Sequence, residues 1–576
     1  MEGREVNETR EREMDRRLQP LTEFPGDLGE REPEAEDIER CFVSGAYIEY
    51  AGVRLLTYLP AKAHNGSPQL IVIPPAAADA QVFLRQSGLM ELADKKQFFV
   101  HVLWADEGAW DIGQAGVWGK NVIACVSARK RYVGCASAVY LLGVGDGAAA
   151  ACRIAAVCTE AIAGMVCVGG GVPDGADEKI PEDTGAKTGD ADAGLPLPVW
   201  LWAPPGSGWL ERTTAFWRQH NGVSAVTSVQ AGGNLIYRLP CGTRISPNEE
   251  TEASQVRVTA SLEKPAARDL ERMWDFLASV RRHKGPGHPC LRFYHAPERC
   301  NAVSRFMEHA GVRRRWLEYI PSTPVPEAGY PLVVVLHGRG GTAESFFDAS
   351  RMWMVAEERG FIALFPQAYC YQQYPPDGVR NVSMWDYPDG SLQADNVGFI
   401  RRMVEEAAGR YPVDRSRIYC CGQSSGGMMT MDLALYASDL FAAAAPWSTA
   451  SIPDGKRTVT KEAIPVFLMR GKEDGLPRQK TFAEYPFRCN SRLKAMLDYF
   501  LERYGLEKEA REYESGIYHY YVYCTSKGVP MVTFVDVEGL PHASIPEESW
   551  MAYDLFLSKF SRGGEGELLY MGKRLE

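Results

Sequence analysis

Val413 to Ser448, VDRSRIYCCGQSSGGMMTMDLALYASDLFAAAAPWS, is the stretch that decides the fold. Ile418 to Cys421 is a short apolar run of strand type, Gly422-Gln423-Ser424-Ser425-Gly426 matches G-x-S-x-G, and Met428 to Tyr436 continues at helical spacing with good helix formers. Strand, tight turn and helix in that order lift the Ser424 hydroxyl to the apex of the turn. The glycines have a steric reason, because backbone passes so close to backbone there that a Cβ at 422 or 426 would collide. At this glycine and serine content about 0.3 such matches arise by chance, so the surrounding chain has to carry the reading.

Three other stretches do so. Tyr330 to Gly341, YPLVVVLHGRGG, is a buried-strand run that ends in a loop able to aim backbone N–H groups at a developing oxyanion; the N–H groups of Ser425 and of the Arg339 region are the expected donors. Ile464 to Met469 is a second buried strand, and Asp474 follows it in the turn RGKEDG. Met531 to Val537 is a third, with His542 in the loop EGLPHAS after it. Serine, acid and histidine, each just past a strand, follow the chain order of the α/β-hydrolase triad. Glu473 and Asp536 compete with Asp474 as the acid. His519, inside the strand-like run IYHYYVY, competes with His542 as the base, and His337 reads as a hydrogen-bonded core histidine.

With these residues in place, the chain from about 312 to 560 resembles the esterase family of poly(3-hydroxybutyrate) depolymerases and feruloyl or acetylxylan esterases. The phrases that carry the resemblance are LHGRGG, FIALFPQA, SMWDYPDG with ADNVGFI, VDRSRIYCCGQSSGG, DLFAAAAPWS, RGKEDG and GLPHA. The resemblance implies Ser424 as nucleophile, His542 as general base and then acid, and Asp474 as the residue that orients the imidazole. Two positions depart from it. Arg339 stands where these enzymes often carry a cysteine, and Arg470 opens the acid turn in place of the usual histidine, so substrate preference does not carry over.

Bulk properties narrow the class further. A net charge of −11 over 576 residues argues against nucleic acid and against an anionic membrane surface as partners. The fourteen cysteines are scattered, several lie in apolar strands (Cys167, Cys420, Cys421), and no C-x-x-C zinc spacing occurs, so they read as reduced thiols. MEGREVNETREREMDRRLQP has no apolar signal core, and no run of apolar residues is long enough to span a bilayer. A cytoplasmic protein is expected.

Residues 1–39 are dense in charge and read as a disordered or loosely helical arm. From residue 40 to 285 the pattern of the second half returns. SPQLIVIPPAAADAQVFL at Ser67 parallels YPLVVVLHGRGGTAESFF, and SAVYLLGVGDGAAAACRIA at Ser137 parallels SRIYCCGQSSGGMMTMDLA. The halves read as a duplication. In the first, Gly145 stands at the nucleophile position, Ser207 aligns with Asp474, Pro74-Pro75 replace His337-Gly338, and no histidine lies between His220 and His283. Acyl transfer needs a nucleophile and a base within hydrogen-bond reach, so this half is expected to be catalytically dead. GVGDGAA also satisfies a dinucleotide fingerprint, but that motif belongs on the first strand of its domain, and an acid should end the strand after it. AIAGMVCVGGG ends without one.

Helix signals run from Leu262 to Arg282, and HKGPGHPC reads as the start of a linker over 286–311. His283, His288, Cys290, His295 and Cys300 fit no zinc spacing, and no metal is expected. Two insertions, Tyr369–Gly390 and Thr481–Gly528, are placed to border a substrate cleft, with Trp385, Gln423 and Trp447 as its expected lining. The reading is a tandem α/β-hydrolase, two mostly parallel sheets flanked by helices, with a catalytic domain over 312–576. It acts on a small-molecule or oligomeric ester without a cofactor, and a homo-oligomer is compatible with it. A prolyl-oligopeptidase-type peptidase and a non-catalytic binding protein are the alternatives.

Overall fold

The apolar runs Leu70–Ile73 and Val333–Leu336 are buried on both faces in the computed structural model. It describes residues 18–20, 48–50, 53–60, 66–105, 108–127, 134–172, 195–239, 250–373, 380–385, 394–450, 459–460, 464–474 and 491–575. Successive strand side chains point to opposite faces. Leu70 and Val72 accordingly join one apolar cluster and Ile71 and Ile73 another, while Val334 and Leu336 separate from Val333 and Val335 in the same way. A sheet with two apolar faces needs helices on both, which makes each half three layers thick.

Two compact units result, Pro25–His283 with His288–Tyr294, and His295–Glu576 with Met1–Phe24 and Lys284–Gly287. The sheet of the N-terminal unit contains β1 (Ile48–Tyr50), β2 (Val53–Tyr58), β3 (Gln69–Ile73), β4 (Phe99–Leu103), β5 (Val139–Val144), β6 (Gly164–Val168), β7 (Val199–Ala203), β8 (Val229–Ala231), β9 (Asn234–Tyr237) and β10 (Val256–Ala260). They lie in the order β1-β2-β4-β3-β5-β6-β7-β10-β9-β8. The C-terminal sheet contains β11 (Val303–His309), β12 (Val312–Tyr319), β13 (Tyr330–Leu336), β14 (Ile362–Pro366), β15 (Val413–Gln423), β16 (Ala443–Trp447), β17 (Val466–Gly471), β18 (Arg511–Ser515), β19 (Tyr518–Cys524) and β20 (Pro530–Val537). Its order is β11-β12-β14-β13-β15-β16-β17-β20-β19-β18, strand for strand that of the first. In both, the six central strands are parallel and the two at each edge antiparallel. The tandem α/β architecture read from the repeated phrases is present.

Several boundaries move. The helix expected over Leu262–Arg282 spans Ala267–Ala278, and the chain then forms a strand, Val280–His283, that pairs antiparallel with Cys290–Phe293. HKGPGHPC therefore lies at the turn of a hairpin and is not a free linker. The polar strand stays buried because the Arg282 guanidinium donates to the carbonyls of Ile162 and Pro196. The C-terminal sheet begins at Val303, ahead of residue 312. Of the charged arm, Leu18–Pro20 is a strand paired with Tyr371–Gln373, a correction to the disordered reading at those residues; the rest of 1–39 lies outside the described residues.

The first insertion folds as a hairpin, Tyr369–Gln373 against Arg380–Met384. The second supplies the helix Ser491–Tyr504 and the strands β18 and β19. Tyr520, Tyr521 and Tyr523 are buried in that sheet. Among the described residues no helix is long and apolar enough to cross a membrane, and no group of His, Cys, Asp and Glu is arranged to hold a metal ion.

Candidate active site

At the C-terminal end of β15 the chain turns through Ser424 into the helix α2, Ser425–Tyr436. Ser424 has φ 56 and ψ −117, a backbone conformation that residues other than glycine seldom adopt and that lifts the hydroxyl clear of the sheet. Close packing holds it there. A Cβ on Gly426 would lie 2.1 Å from the Leu336 carbonyl oxygen, and one on Gly422 would lie 2.6 Å from that of Gly426, as the sequence argument required. The Ser424 N–H donates to the Trp447 carbonyl at 2.9 Å, tying the turn to the end of β16.

His542 and Asp474 arrive from the ends of β20 and β17. His542 Nε2 is 2.9 Å from Ser424 Oγ, and its Nδ1 is 2.8 Å from Asp474 Oδ1. A carboxylate can only accept, so Nδ1 carries the proton and Nε2 is left to accept from the serine hydroxyl. The Asp474 side chain is buried, whereas that of His542 is 46% exposed and reachable by a ligand. The two loops touch closely enough to require glycine, since a Cβ on Gly471 would lie 1.9 Å from the Leu540 carbonyl oxygen. Gln423, expected in the cleft, places Nε2 3.4 Å from His542 Nε2.

Arg470, which the resemblance marked as a departure, clamps the acid. One terminal nitrogen donates to the Asp474 carbonyl at 2.6 Å, and its Nε lies 3.7 Å from Oδ2, the carboxylate oxygen with no hydrogen bond among the described residues. Both residues are buried, so the guanidinium offsets a charge that would be costly alone. Glu548 is also fully buried, and burial pushes its carboxyl well above the usual range.

On the other side of Ser424 is the loop 337–341. A Cβ on Gly338 would come within 3.4 Å of Ser424 Cβ, which brings this loop alongside Ser424, with Arg339 exposed beyond it. His337 is buried. Its Nε2 accepts from the Ala368 N–H at 3.0 Å and lies 3.1 Å from Gln367 Nε2, so its Nδ1–H donates to the Gly338 carbonyl at 2.8 Å. Burial lowers its pKa to about 4, so it is neutral and shapes the loop.

Two expected cleft residues are not in a cleft. Trp385 is 1% exposed; its indole N–H donates to the His337 carbonyl at 2.8 Å and its backbone N–H donates to Ser425 Oγ at 3.1 Å. A buried tryptophan usually finds an acceptor for its one donor, and here that acceptor belongs to the loop 337–341. Trp447 is 0% exposed and packs beside Phe346 in the core. Of the competing residues, Glu473 is exposed, Asp536 sits within β20, and His519 stacks on Tyr521 on β19 with Glu514 3.3 Å away. The Gln367–Ala368 contacts to His337, the strapping role of Trp385 and the buried Glu548 were missed. Only FPQA, at the C-terminal end of β14, gave a signal for any of them.

Residues 319–484 match the dienelactone hydrolase family, a stretch that includes Ser424 and Asp474 and stops short of His542. The C-terminal unit has the α/β-hydrolase fold. The chain is 32% identical over 138 residues to feruloyl esterase B of Neurospora crassa, covering 23% of this chain and 43% of that protein. It is 33% identical over 137 residues to a probable acetylxylan esterase A of Neosartorya fischeri, covering 23% and 34%. The chain thus spans less than half the length of either relative. Among solved structures, the acetyl xylan esterase of Aspergillus awamori aligns with 44% of this chain and 98% of its own at 18% identity and a TM-score of 0.32.

Proposed function

We propose that the C-terminal α/β-hydrolase unit hydrolyses carboxylic esters through an acyl-enzyme, with Ser424 as nucleophile, His542 as base and Asp474 as the residue that orients the imidazole. The observation that carries this reading is the hydrogen-bonded chain Ser424–His542–Asp474 on a strained turn. In the first step Ser424 Oγ attacks the ester carbonyl while its proton passes to His542 Nε2, and the resulting imidazolium is stabilised by the Asp474 carboxylate. The carbonyl oxygen becomes an oxyanion facing the N–H groups of Ser425 and of the Arg339 region. As a first-turn amide of α2, the Ser425 N–H has no acceptor within its helix, which suits it to that role. The imidazolium then gives its proton to the leaving alcohol. Water, activated by the same imidazole, releases the acid.

The relatives named feruloyl esterase and acetylxylan esterase support carboxylic esters as the substrate class, with feruloyl and acetyl esters the first to try. A fluorophosphonate probe tests the nucleophile, and kcat/KM on p-nitrophenyl acetate, feruloyl esters and aminoacyl anilides tests the class. Labelling that is lost in Ser424→Ala, with esters preferred over anilides, is the expected result. An unlabelled native protein would reject the reading in favour of a binding role, and anilide preference would make it a peptidase.

A further inference from the structure

The N-terminal unit repeats the scaffold of this site while carrying different chemistry. Gly145 occupies the turn between β5 and the helix α1, Gly147–Val157, with φ 59 against 56 at Ser424. Its N–H donates at 2.9 Å to the carbonyl of Val168, the last residue of β6, as that of Ser424 does to Trp447 at the end of β16. A Cβ on Gly147 would lie 2.3 Å from the Ile73 oxygen and 2.4 Å from that of Pro74; the corresponding distances at Gly426 are 2.1 Å to Leu336 and 2.6 Å to His337. The indole of Trp110 donates to the Pro74 carbonyl at 2.9 Å, matching the bond from Trp385 to His337. The acid turn recurs too, with the Ser207 N–H on the Pro204 carbonyl where the Asp474 N–H is on that of Gly471. Ser207 turns its hydroxyl back onto that same carbonyl.

These matches fix the register between the halves. Gly145 stands for Ser424, Asp146 for Ser425, and Ala76, three residues past the last residue of β3, for Arg339. The Ala76 N–H is thus the counterpart of the amide assigned to the oxyanion. It is not open: it donates to Asp146 Oδ1 at 3.0 Å. Asp146 is the residue before α1, a position where aspartate ordinarily caps the helix, yet its side chain makes no capping bond and reaches across to the loop instead.

We infer that the N-terminal unit retains an anion-binding amide cradle of the oxyanion type, and that its resident ligand is a carboxylate supplied by the chain itself, Asp146. The physical reason is that Ala76 is buried and an amide left without an acceptor there is costly, while the positive end of α1 favours a negative charge at the same spot. The carboxylate satisfies both and occupies the place a substrate's carbonyl oxygen would need. The unit therefore takes no acyl group at this turn.

Amide hydrogen exchange at Ala76 in the full chain tests this without any substrate, so its outcome is independent of the proposed esterase activity. In Asp146→Ala the Ala76 amide should exchange at least tenfold faster, and formate should slow it again where chloride at equal ionic strength does not. Asp146→Asn keeps a side-chain oxygen acceptor and should keep most of the protection. A simple helix-end charge effect would lower stability in Asp146→Ala with no formate-specific recovery. Unchanged Ala76 exchange in Asp146→Ala, or equal effects of formate and chloride, would overturn the inference.

Discussion

The backbone of Ser424 lies where glycine is at home and serine is not, and that strain, of order 1–3 kcal/mol, accompanies the exposure of the hydroxyl. Two substitutions separate chemistry from strain. Ser424→Ala should lower ester turnover by about 10³-fold or more with the fold intact, because the three residues act as one unit. Ser424→Gly should be equally inactive yet more stable than Ser424→Ala in urea or thermal unfolding, since it relieves the positive φ. If the alanine variant kept full turnover, Ser424 would not be the nucleophile. Arg470 makes a second case at this scale. It bonds the Asp474 carbonyl and faces Oδ2 of the carboxylate, so Arg470→Gln should lower kcat by roughly tenfold with little change in KM, a loss of interactions that matter chiefly in the transition state. A rise in KM at constant kcat would instead place Arg470 against substrate.

At the scale of elements, the first insertion acts through Trp385. Its hairpin strand carries Ser383, whose carbonyl accepts from the Gly340 N–H at 2.7 Å, and the following Trp385 bonds both the His337 carbonyl and Ser425 Oγ. The insertion thus holds the two chain segments expected to supply the oxyanion donors. Trp385→Phe keeps most of the buried ring but leaves the His337 carbonyl without its donor, a loss of about 1–3 kcal/mol in stability by analogy with other buried groups left unsatisfied. Its kcat should fall with KM nearly unchanged. Ser425→Ala removes only an acceptor and should lose less, the Ser425 N–H being retained. Equal kinetics in native and Trp385→Phe proteins would show that the strap does not reach the donors.

Across the described residues of the molecule, three histidines are held neutral by burial, His101 with its pKa lowered to about 3 and His220 and His337 to about 4. Below about 6.5 the unfolded chain binds protons that the folded chain refuses, so stability is fully present above that value and is lost as the pH falls toward 4, by up to about 1.4 kcal/mol per unit for each histidine. Glu548 has the opposite sign. Its carboxyl is raised, so its contribution is present below the ordinary glutamate value and is lost as the pH rises. Glu548→Gln should therefore melt higher than the native protein at pH 8 and match it near pH 4, as scanning calorimetry at the two values would read. A gain at pH 4 as large as that at pH 8 would mean the carboxyl does not titrate differently on folding.

How much of this was legible depended on range. The strands were readable because burial on both faces demands unbroken apolar runs, and the turn at Ser424 because glycine alone fits where backbone meets backbone, so sequence by itself determined the α/β class, the duplication and the chain order of Ser424, Asp474 and His542. Trp385 and Trp447 were misread for a related reason. An aromatic residue at or just past the end of a strand carries no mark of whether its ring faces a ligand or the core, and the acceptor that buries Trp385 lies 48 residues away at His337. The hairpin at HKGPGHPC was hidden because its strand VRRH is mostly charged, and the carbonyls that take up the Arg282 guanidinium come from distant segments. Arg470 beside Asp474 and Asp146 on Ala76 likewise exist only once separate loops converge. Tertiary structure alone decided which polar groups found partners, because a hydrogen bond depends on where two atoms stand in space, whereas the apolar pattern of a strand is written along the chain.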